Sequence, residues 1–254
     1  MSVDKWIEVA VEDKEQANIN LEDCFAGEEI IDETDSEKYL GDIISNDGKN
    51  MKNIKARVNK GTGIVNKILT LLEGIPFGEY FFEIAIMLRN SLLVSSLLCN
   101  SEAWYNITNA EYDYLETIDN TFLRKILKAP MATPKEMLHL ELGSLPFRYT
   151  IQRRRLSFLH YLLNEDSKSL VHRFLMTQMG NRNPKDWTNT VMKDLEELNI
   201  DMNFDVIKMM KKPTWDNMIE KAIHVRALKD LNKVKAKHSK VLHLKHDYLK
   251  IKNI

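Results

Sequence analysis

The chain has 254 residues, of which 44% are hydrophobic and 29% charged, a composition that indicates a soluble globular protein and not a disordered one. The formal net charge of -1 hides an uneven distribution. Residues 1–50 contain 15 acidic and 4 basic residues, whereas residues 51–254 contain 22 acidic and 32 basic residues. A basic body is compatible with a polyanionic partner, although a solvated helical surface rich in lysine has the same composition.

Cysteine usage and hydropathy exclude several protein classes. The two cysteines, Cys24 and Cys99, cannot form a zinc site by themselves, and Cys99 lies in an apolar run that predicts a buried thiol. The first residues lack the apolar core of a signal peptide, and Arg89 and Asn90 interrupt the longest apolar stretch. These features predict an intracellular protein, cytoplasmic or nuclear, without a membrane span.

The first strong structural signal lies at residues 38–48, after an acidic and weakly patterned segment, residues 1–36. A short β-type run occurs there, and Asp47-Gly48 closes it with a dipeptide that favours tight turns. The apolar members of the run are Tyr39, Leu40, Ile43 and Ile44.

A basic amphipathic helix is predicted next, over residues 50–73. Apolar or small residues recur at helical spacing and predict one buried face. They are Ile54, Val58, Gly61, Val65, Ile68 and Leu72. The opposite face is expected to carry Lys52, Lys55, Arg57, Lys60 and Lys67. Gly74 and Pro76 end the helix.

The remainder of the chain predicts further helices separated by Gly, Pro and polar breaks. Residues 78–99 are apolar on most sides, which predicts a helix that is buried all round. Thr108 and Glu111 form a capping box at the start of the next helix. Other helices are expected from Thr133 to Gly143, over residues 147–163 and 168–179, after Trp187, and from Thr214. The predicted fold is mainly α, with a small N-terminal β element.

Motifs that would indicate an enzyme are weak or missing in this sequence. A two-metal polymerase needs converging carboxylates, usually an Asp-Asp pair, and the chain contains no Asp-Asp dipeptide. The Gly-Thr-Gly at residues 61–63 lies inside a helical pattern, so it does not indicate a dinucleotide loop. The His-Leu-Glu at residues 139–141 is similar to part of a deaminase motif, but its Pro-Cys-x-x-Cys partner is missing, which predicts a surface pair.

Several segments resemble, by their order and spacing, the reverse transcriptases of non-LTR retrotransposons. The resemblance begins at Lys-Tyr-Leu-Gly-Asp-Ile-Ile-Ser-Asn-Asp-Gly (38–48), because a Lys-Tyr-Leu-Gly strand precedes the thumb in that family. The later segments are Arg-Val-Asn-Lys-Gly (57–61), Asn-Ser-Glu-Ala-Trp-Tyr (100–105), Leu-Arg-Lys-Ile-Leu (123–127), Leu-Glu-Leu-Gly (140–143) with Pro146, and Arg-Arg-Leu (154–156) followed by Leu159-His160. The resemblance implies a helical thumb and post-thumb bundle.

The resemblance also implies roles for two groups of residues. The β element would belong to the primer grip, a hairpin that holds the primer end against the palm. Its residues here are Tyr39, Leu40 and Gly41. The basic face of the helix at residues 50–73 would follow the minor groove of an RNA–DNA hybrid, with its lysines and Arg57 on phosphates.

A run of three arginines, residues 153–155, adds a second candidate surface. At 100° per residue the three side chains cannot all face one way, so at least one is expected to point inward and pair with an acid. We expect Arg148 and Arg155 to be the exposed ones that contact nucleic acid.

The resemblance implies Mg²⁺ and RNA-directed DNA synthesis for the family, with the metal held by palm carboxylates. Those carboxylates would precede residue 38, so we expect no catalytic residue, metal ligand or cofactor site in this chain. The expected protein is a reverse-transcriptase fragment that binds an RNA–DNA hybrid or duplex and does not polymerise alone. An active enzyme would require carboxylates from another chain.

Three regions are expected along the chain. Residues 1–48 would be an acidic leader with the primer-grip-like element, residues 49–180 the thumb-like and post-thumb helices, and residues 181–254 a basic C-terminal helical region. The alternative function is a helical structural or protein-interaction remnant with no ligand. That alternative predicts apolar surface where a palm once packed, and hence association between molecules.

Overall fold

The computed structural model describes residues 25–26, 29–30, 34–39, 41–181, 183–201 and 203–237. Most of the acidic leader lies outside the described residues, and so does Leu40 of the primer-grip-like element. The contacts divide the chain into two compact units, Met1–Lys49 and Asn50–Ile254, and each unit is described by itself.

The described residues of the first unit form two small antiparallel hairpins. They are β1 (Phe25–Ala26) with β2 (Glu29–Ile30), and β3 (Ser36–Tyr39) with β4 (Asp42–Ser45). The run from Tyr39 to Ile44 is therefore two strands and not one. The chain reverses at Gly41, whose φ of 91° is a conformation that glycine adopts without strain. The turn predicted at Asp47-Gly48 is confirmed, because the N–H of Gly48 donates to the Ser45 carbonyl over 3.0 Å.

The second unit is built from helices, which confirms the expected mainly α fold with a small β element. Its α-helices are α1 (Met51–Leu72), α2 (Glu79–Leu88), α3 (Asn109–Leu127), α4 (Lys135–Leu142), α5 (Phe147–Asn164), α6 (Leu170–Asn181), α7 (Trp187–Glu197), α8 (Phe204–Met209) and α9 (Lys212–Lys237). The capping box at the start of α3 is confirmed, since Thr108 and Glu111 exchange both hydrogen bonds. Only α8 is not predicted, because six residues are too few to show a helical period.

The apolar segment after α1 differs from its prediction. α2 continues through a π-helical stretch, Arg89–Val94, into one more α-helical turn, Ser95–Leu97. Within α2 only Ala85 is fully buried, so the helix expected to be buried all round is largely half-buried or exposed. The reason is that, apart from its own continuation, α1 is the main element that contacts α2 in the described chain.

The segment Glu79–Leu97 also bears on the membrane prediction. It is long and apolar enough to cross a membrane by length and composition alone, with a mean hydropathy of 1.2. A core helix of a soluble protein meets the same criterion, so this finding is weak evidence for a span. The absence of a membrane span stays a prediction.

Two hydrophobic clusters fill the second unit, and α5 contributes to both. The first joins α1, the continuation of α2, α3 and the start of α5, where Phe147 and Ile151 lie. The second joins the rest of α5 to α7 and α9 around Trp215. All six residues predicted for the buried face of α1 are buried. Because α5 packs with α6, α7 and α9, the contacts do not divide the chain at residue 180, where a boundary was expected.

The helices α1 and α3 run side by side in the same direction. The Nδ2 of Asn50, at the start of α1, donates to the Tyr105 carbonyl over 2.9 Å, just before α3. In the middle of both helices Gly61 lies against Ile118. This arrangement buries one face of α1 against α3 and leaves the opposite face open to solvent.

A buried polar cluster joins the π-helical stretch, α3 and α4. The guanidinium of Arg89 donates to the carboxylate of Asp119, with 2.6 Å between Nε and Oδ1. His139 lies within the electrostatic reach of this pair and is itself buried, so its prediction as a surface residue is wrong. Its Nδ1 is 3.1 Å from Ser144 Oγ, whereas its Nε2 has no hydrogen-bond partner among the described residues. Burial lowers the pKa of His139 to about 4.

This pKa predicts a loss of stability in acid that depends on one side chain. The unfolded chain binds a proton at His139 below pH 6.5, while the folded chain resists protonation until about pH 4. Between pH 7 and pH 4.5 the free energy of unfolding should therefore fall by about 2–3 kcal/mol through this residue. Urea unfolding of the wild type and of His139→Gln at both pH values measures the difference. Equal pH dependence in the two proteins would contradict it.

Candidate nucleic-acid interface

The exposed face of α1 carries the predicted lysines. Lys52, Lys55, Lys60 and Lys67 are all exposed. The helix contains no aspartate or glutamate in its 22 residues, so no carboxylate of α1 itself offsets their charge. From Lys52 to Lys67 the helix rises by roughly 22 Å, at about 1.5 Å per residue. The face is thus a positively charged strip along one side of the second unit.

Small and uncharged side chains occupy the middle of this strip. They are Ala56, Asn59, Thr62, Gly63 and Asn66, and all five are exposed. A Cβ atom added at Gly63 would meet no other atom within 4 Å. Gly61 has a packing reason to be glycine, because a Cβ there would lie 3.1 Å from Leu97 and 3.2 Å from Ile118. No such contact accounts for Gly63.

Arg57 does not belong to the exposed strip, so its predicted place there is wrong. Its side chain points inward, and the residue is only 7% exposed. The guanidinium donates to the Leu97 carbonyl over 2.9 Å and to the Ser96 carbonyl over 3.3 Å. It also lies over the Trp104 ring, 5.1 Å from the centroid. The carbonyls at the end of a helix lack intrahelical partners, and Arg57 supplies donors to two of them.

The arginine run on α5 is oriented differently from its prediction. One of the three arginines does point inward and pair with an acid, as expected, but that residue is Arg155 and not one of its neighbours. Arg155 is 1% exposed, and its Nε donates to Asp194 over 2.6 Å. Arg153 is exposed, and Arg154 is half-buried and donates to the Leu98 carbonyl. The predicted exposure of Arg155 is therefore wrong.

Arg148 is the one arginine of the predicted binding set that reaches solvent. Its side chain is 39% exposed, and its guanidinium carbon lies 5.2 Å from the centroid of the Tyr112 ring. Its Nε is 3.7 Å from the Glu116 carboxylate. Burial raises the pKa of Glu116, and the nearby Arg148 and Lys135 oppose that shift. Arg148 is thus fixed by an aromatic ring and a carboxylate but keeps donor atoms for a ligand.

A cleft of about 410 Å³ opens beside Arg148. The start of α3 and the helices α5, α7 and α9 each contribute side chains to it. Besides Arg155, which is paired with Asp194, two further cations line the cleft, Lys193 on α7 and Arg226 on α9. Neither was predicted as a site residue, because single basic residues on separate helices form no motif in the sequence.

The primer-grip-like residues belong to the first unit. Tyr39 is 53% exposed, and Gly41 lies in the turn between β3 and β4. Leu40 is outside the described residues. β3 and β4 form a hairpin, and a role as a primer grip stays a prediction.

The metal-ligating and thiol side chains of the described part of the chain form no recognisable site. No group of three or more His, Cys, Asp or Glu residues there could hold a metal ion. Cys99 is exposed, so its predicted burial is wrong. The helical part of this apolar run ends at Leu98, just before Cys99. Asn100 then adopts a left-handed backbone conformation.

Apolar side chains are also exposed just before α2 and along it. Phe77 is 59% exposed, Tyr80 78% and Met87 59%. The Phe77 ring packs against Phe81 and Phe82, with centroids 5.3 and 5.1 Å away. Exposed apolar groups of this kind are typical of interaction surfaces.

Comparison of the chain with protein-family models, with curated proteins and with solved structures finds no match.

The two glycines of α1 predict opposite responses to the same substitution. Gly63→Ala should raise the free energy of unfolding by about 1 kcal/mol, because alanine favours the helix and meets open space. Gly61→Ala should give no such gain, because its new methyl group must displace Leu97 and Ile118. Urea unfolding of both variants measures the difference. An equal gain at both positions would contradict the close packing of α1 on α3.

Proposed function

We propose that this chain binds nucleic acid through the lysine strip of α1, as the thumb-like part of a retrotransposon RNA-directed DNA polymerase. The observation that carries the proposal is the strip itself, four exposed lysines on a helix without a single acidic residue. The ligand class is a duplex, with an RNA–DNA hybrid favoured by the family resemblance. The role of the chain is to hold the duplex, and polymerisation would need carboxylates from elsewhere.

The chemistry of the strip suits a phosphate backbone. Lysine contacts phosphates as a mobile point charge and carries no information about base sequence. The small side chains between the lysines let a rigid surface approach the backbone of α1. Binding of this kind releases condensed counterions, so its affinity falls as salt concentration rises. The expected binding is therefore independent of sequence and strongly dependent on salt.

Removal of three strip lysines should weaken hybrid binding and flatten its salt dependence. In Lys55→Gln/Lys60→Gln/Lys67→Gln, the slope of log affinity against log salt should shrink by about 2 to 3, near 0.9 for each lost phosphate contact. Fluorescence anisotropy with a labelled RNA–DNA hybrid, at several salt concentrations, measures the slope.

A matched variant controls for net charge. Lys168→Gln/Lys208→Gln/Lys211→Gln removes the same charge from exposed positions outside α1. This control should keep the affinity and the slope of the wild type. Equal losses in both variants, or no hybrid binding by the wild type at low salt, would sink the proposal.

A helical interaction protein without a nucleic-acid ligand is the second candidate. The exposed apolar surface around Phe77, Tyr80 and Met87 favours it. The partner of this surface would be a protein that covers α2 with apolar side chains of its own.

The two candidates predict different behaviour of one variant. If the lysine strip is the functional surface, Tyr80→Gln/Met87→Gln leaves hybrid affinity unchanged. If α2 is the functional surface, the wild type associates with itself or a partner chain, and this variant abolishes that association. Sedimentation velocity with and without the hybrid measures both properties in one experiment. A monomeric wild type that binds hybrid would rule out the second candidate as the main function.

A further inference from the structure

No residue of α1 lines the cleft beside Arg148. Its lining comes from four elements that are far apart in the chain, the start of α3, α5, α7 and α9. The volume of about 410 Å³ is within the range of pockets that hold small molecules, roughly 300–1,000 Å³. Its inner wall contains Tyr149 and Gln152 of α5, both buried.

The carboxylates that line the cleft are mostly occupied by neighbouring donors. Asp194 accepts from Arg155 over 2.6 Å and from Gln152 over 3.2 Å. Asp230 accepts from Arg226 over 2.9 Å and from the Tyr149 hydroxyl over 3.0 Å. Lys233 adds a third donor to Asp230 at 3.1 Å. Desolvation would raise the pKa of Asp230, but these donors outweigh it and the pKa is lowered, so the charge on Asp230 is kept and neutralised.

The cations of the cleft keep more bonding capacity than the carboxylates do. Arg226 uses its Nε on Asp230, and its two Nη groups bond to no described residue. The Nη groups of Arg148 are likewise unbonded within the described chain, and Lys193 makes no ion pair there. Among the lining acids Glu197 has the fewest donors, since it is exposed and accepts only from Gln152, at 3.5 Å, within the described chain. The surplus is therefore on the donor side.

We infer that this cleft binds a phosphate ester, with Arg148, Lys193 and Arg226 as the residues that contact its oxygens. Guanidinium groups bind phosphate with two parallel hydrogen bonds, and a lysine adds a point charge. Three helices each supply one of these cations, so the site exists only in the folded second unit. The ester comes from a free nucleotide or from a nucleic-acid backbone. The site goes beyond the proposed function of α1 and stands without it.

Two variants with opposite effects test the site. Lys193→Gln/Arg226→Gln should weaken phosphate-ester binding by about tenfold or more, the loss expected for removed charge-assisted hydrogen bonds. Glu197→Gln should strengthen binding, because it removes the most exposed and least paired carboxylate of the cleft. A variant that merely misfolds cannot produce such a gain. Isothermal titration calorimetry with ATP in the absence of metal, against adenosine as the ligand without phosphate, gives the affinities for the free nucleotide.

A second ligand identifies the source of the ester, and a matched variant controls for charge. Anisotropy with a labelled single-stranded oligonucleotide, on the background Lys55→Gln/Lys60→Gln/Lys67→Gln, reports binding by a nucleic-acid backbone when three of the four strip lysines are removed. Arg173→Gln/Lys221→Gln removes the same charges from exposed positions outside the cleft and should change neither affinity. The site is supported if, for either ligand, Lys193→Gln/Arg226→Gln weakens binding and Glu197→Gln strengthens it. The ligand that behaves in this way identifies the source of the ester. Failure of both ligands to bind, or equal losses in the matched variant, overturns the inference and leaves the test of α1 unaffected.

Discussion

A buried guanidinium holds the second unit together where its two hydrophobic clusters meet. Arg155 on α5 donates to Asp194 of α7 over 2.6 Å and to the Trp104 carbonyl, before α3, over 2.5 Å. Trp187, at the start of α7, donates to the Glu102 carbonyl in the same loop. A buried pair of this kind has a large desolvation cost, and removal of one partner typically costs about 3–5 kcal/mol. The relative positions of α3, α5 and α7, and with them the cleft, depend on this contact.

The burial of basic side chains in the second unit follows from the different chemistry of arginine and lysine. Arg57, Arg89 and Arg155 are buried, and each uses its planar guanidinium to reach several carbonyl or carboxylate oxygens at once. Lysine is a strongly hydrated point charge on a flexible stem, so the lysines of α1 stay in solvent. On α1 the positive charge available to a ligand is therefore carried by lysines and not by Arg57. Arg57, Arg89 and Arg155 count toward the basic total in the sequence but serve as internal supports.

Two charged surfaces and one apolar surface follow from this arrangement. The strip on α1 is exposed along the helix, which suits a long polyanion and weak, additive contacts. The cleft is concave and brings cations from three helices together, which suits one phosphate group held by several donors. The apolar surface of α2 has neither a row of lysines nor converging cations, and it suits contact with another protein. Because the three lie on different elements, substitutions can separate their contributions without a change in the buried core.

The amino-acid sequence by itself determined the features that depend on side chains about one helical turn apart. The buried face of α1, its exposed lysines and the capping box of α3 follow from spacings of three and four residues. Only the tertiary structure decided the direction of Arg57 and Arg155, because their partners are about 40 residues away in the chain. The same holds for the exposure of α2 and for the cleft, since both depend on which helices pack together. Periodicity specifies which side of a helix is apolar, whereas packing decides what that side meets.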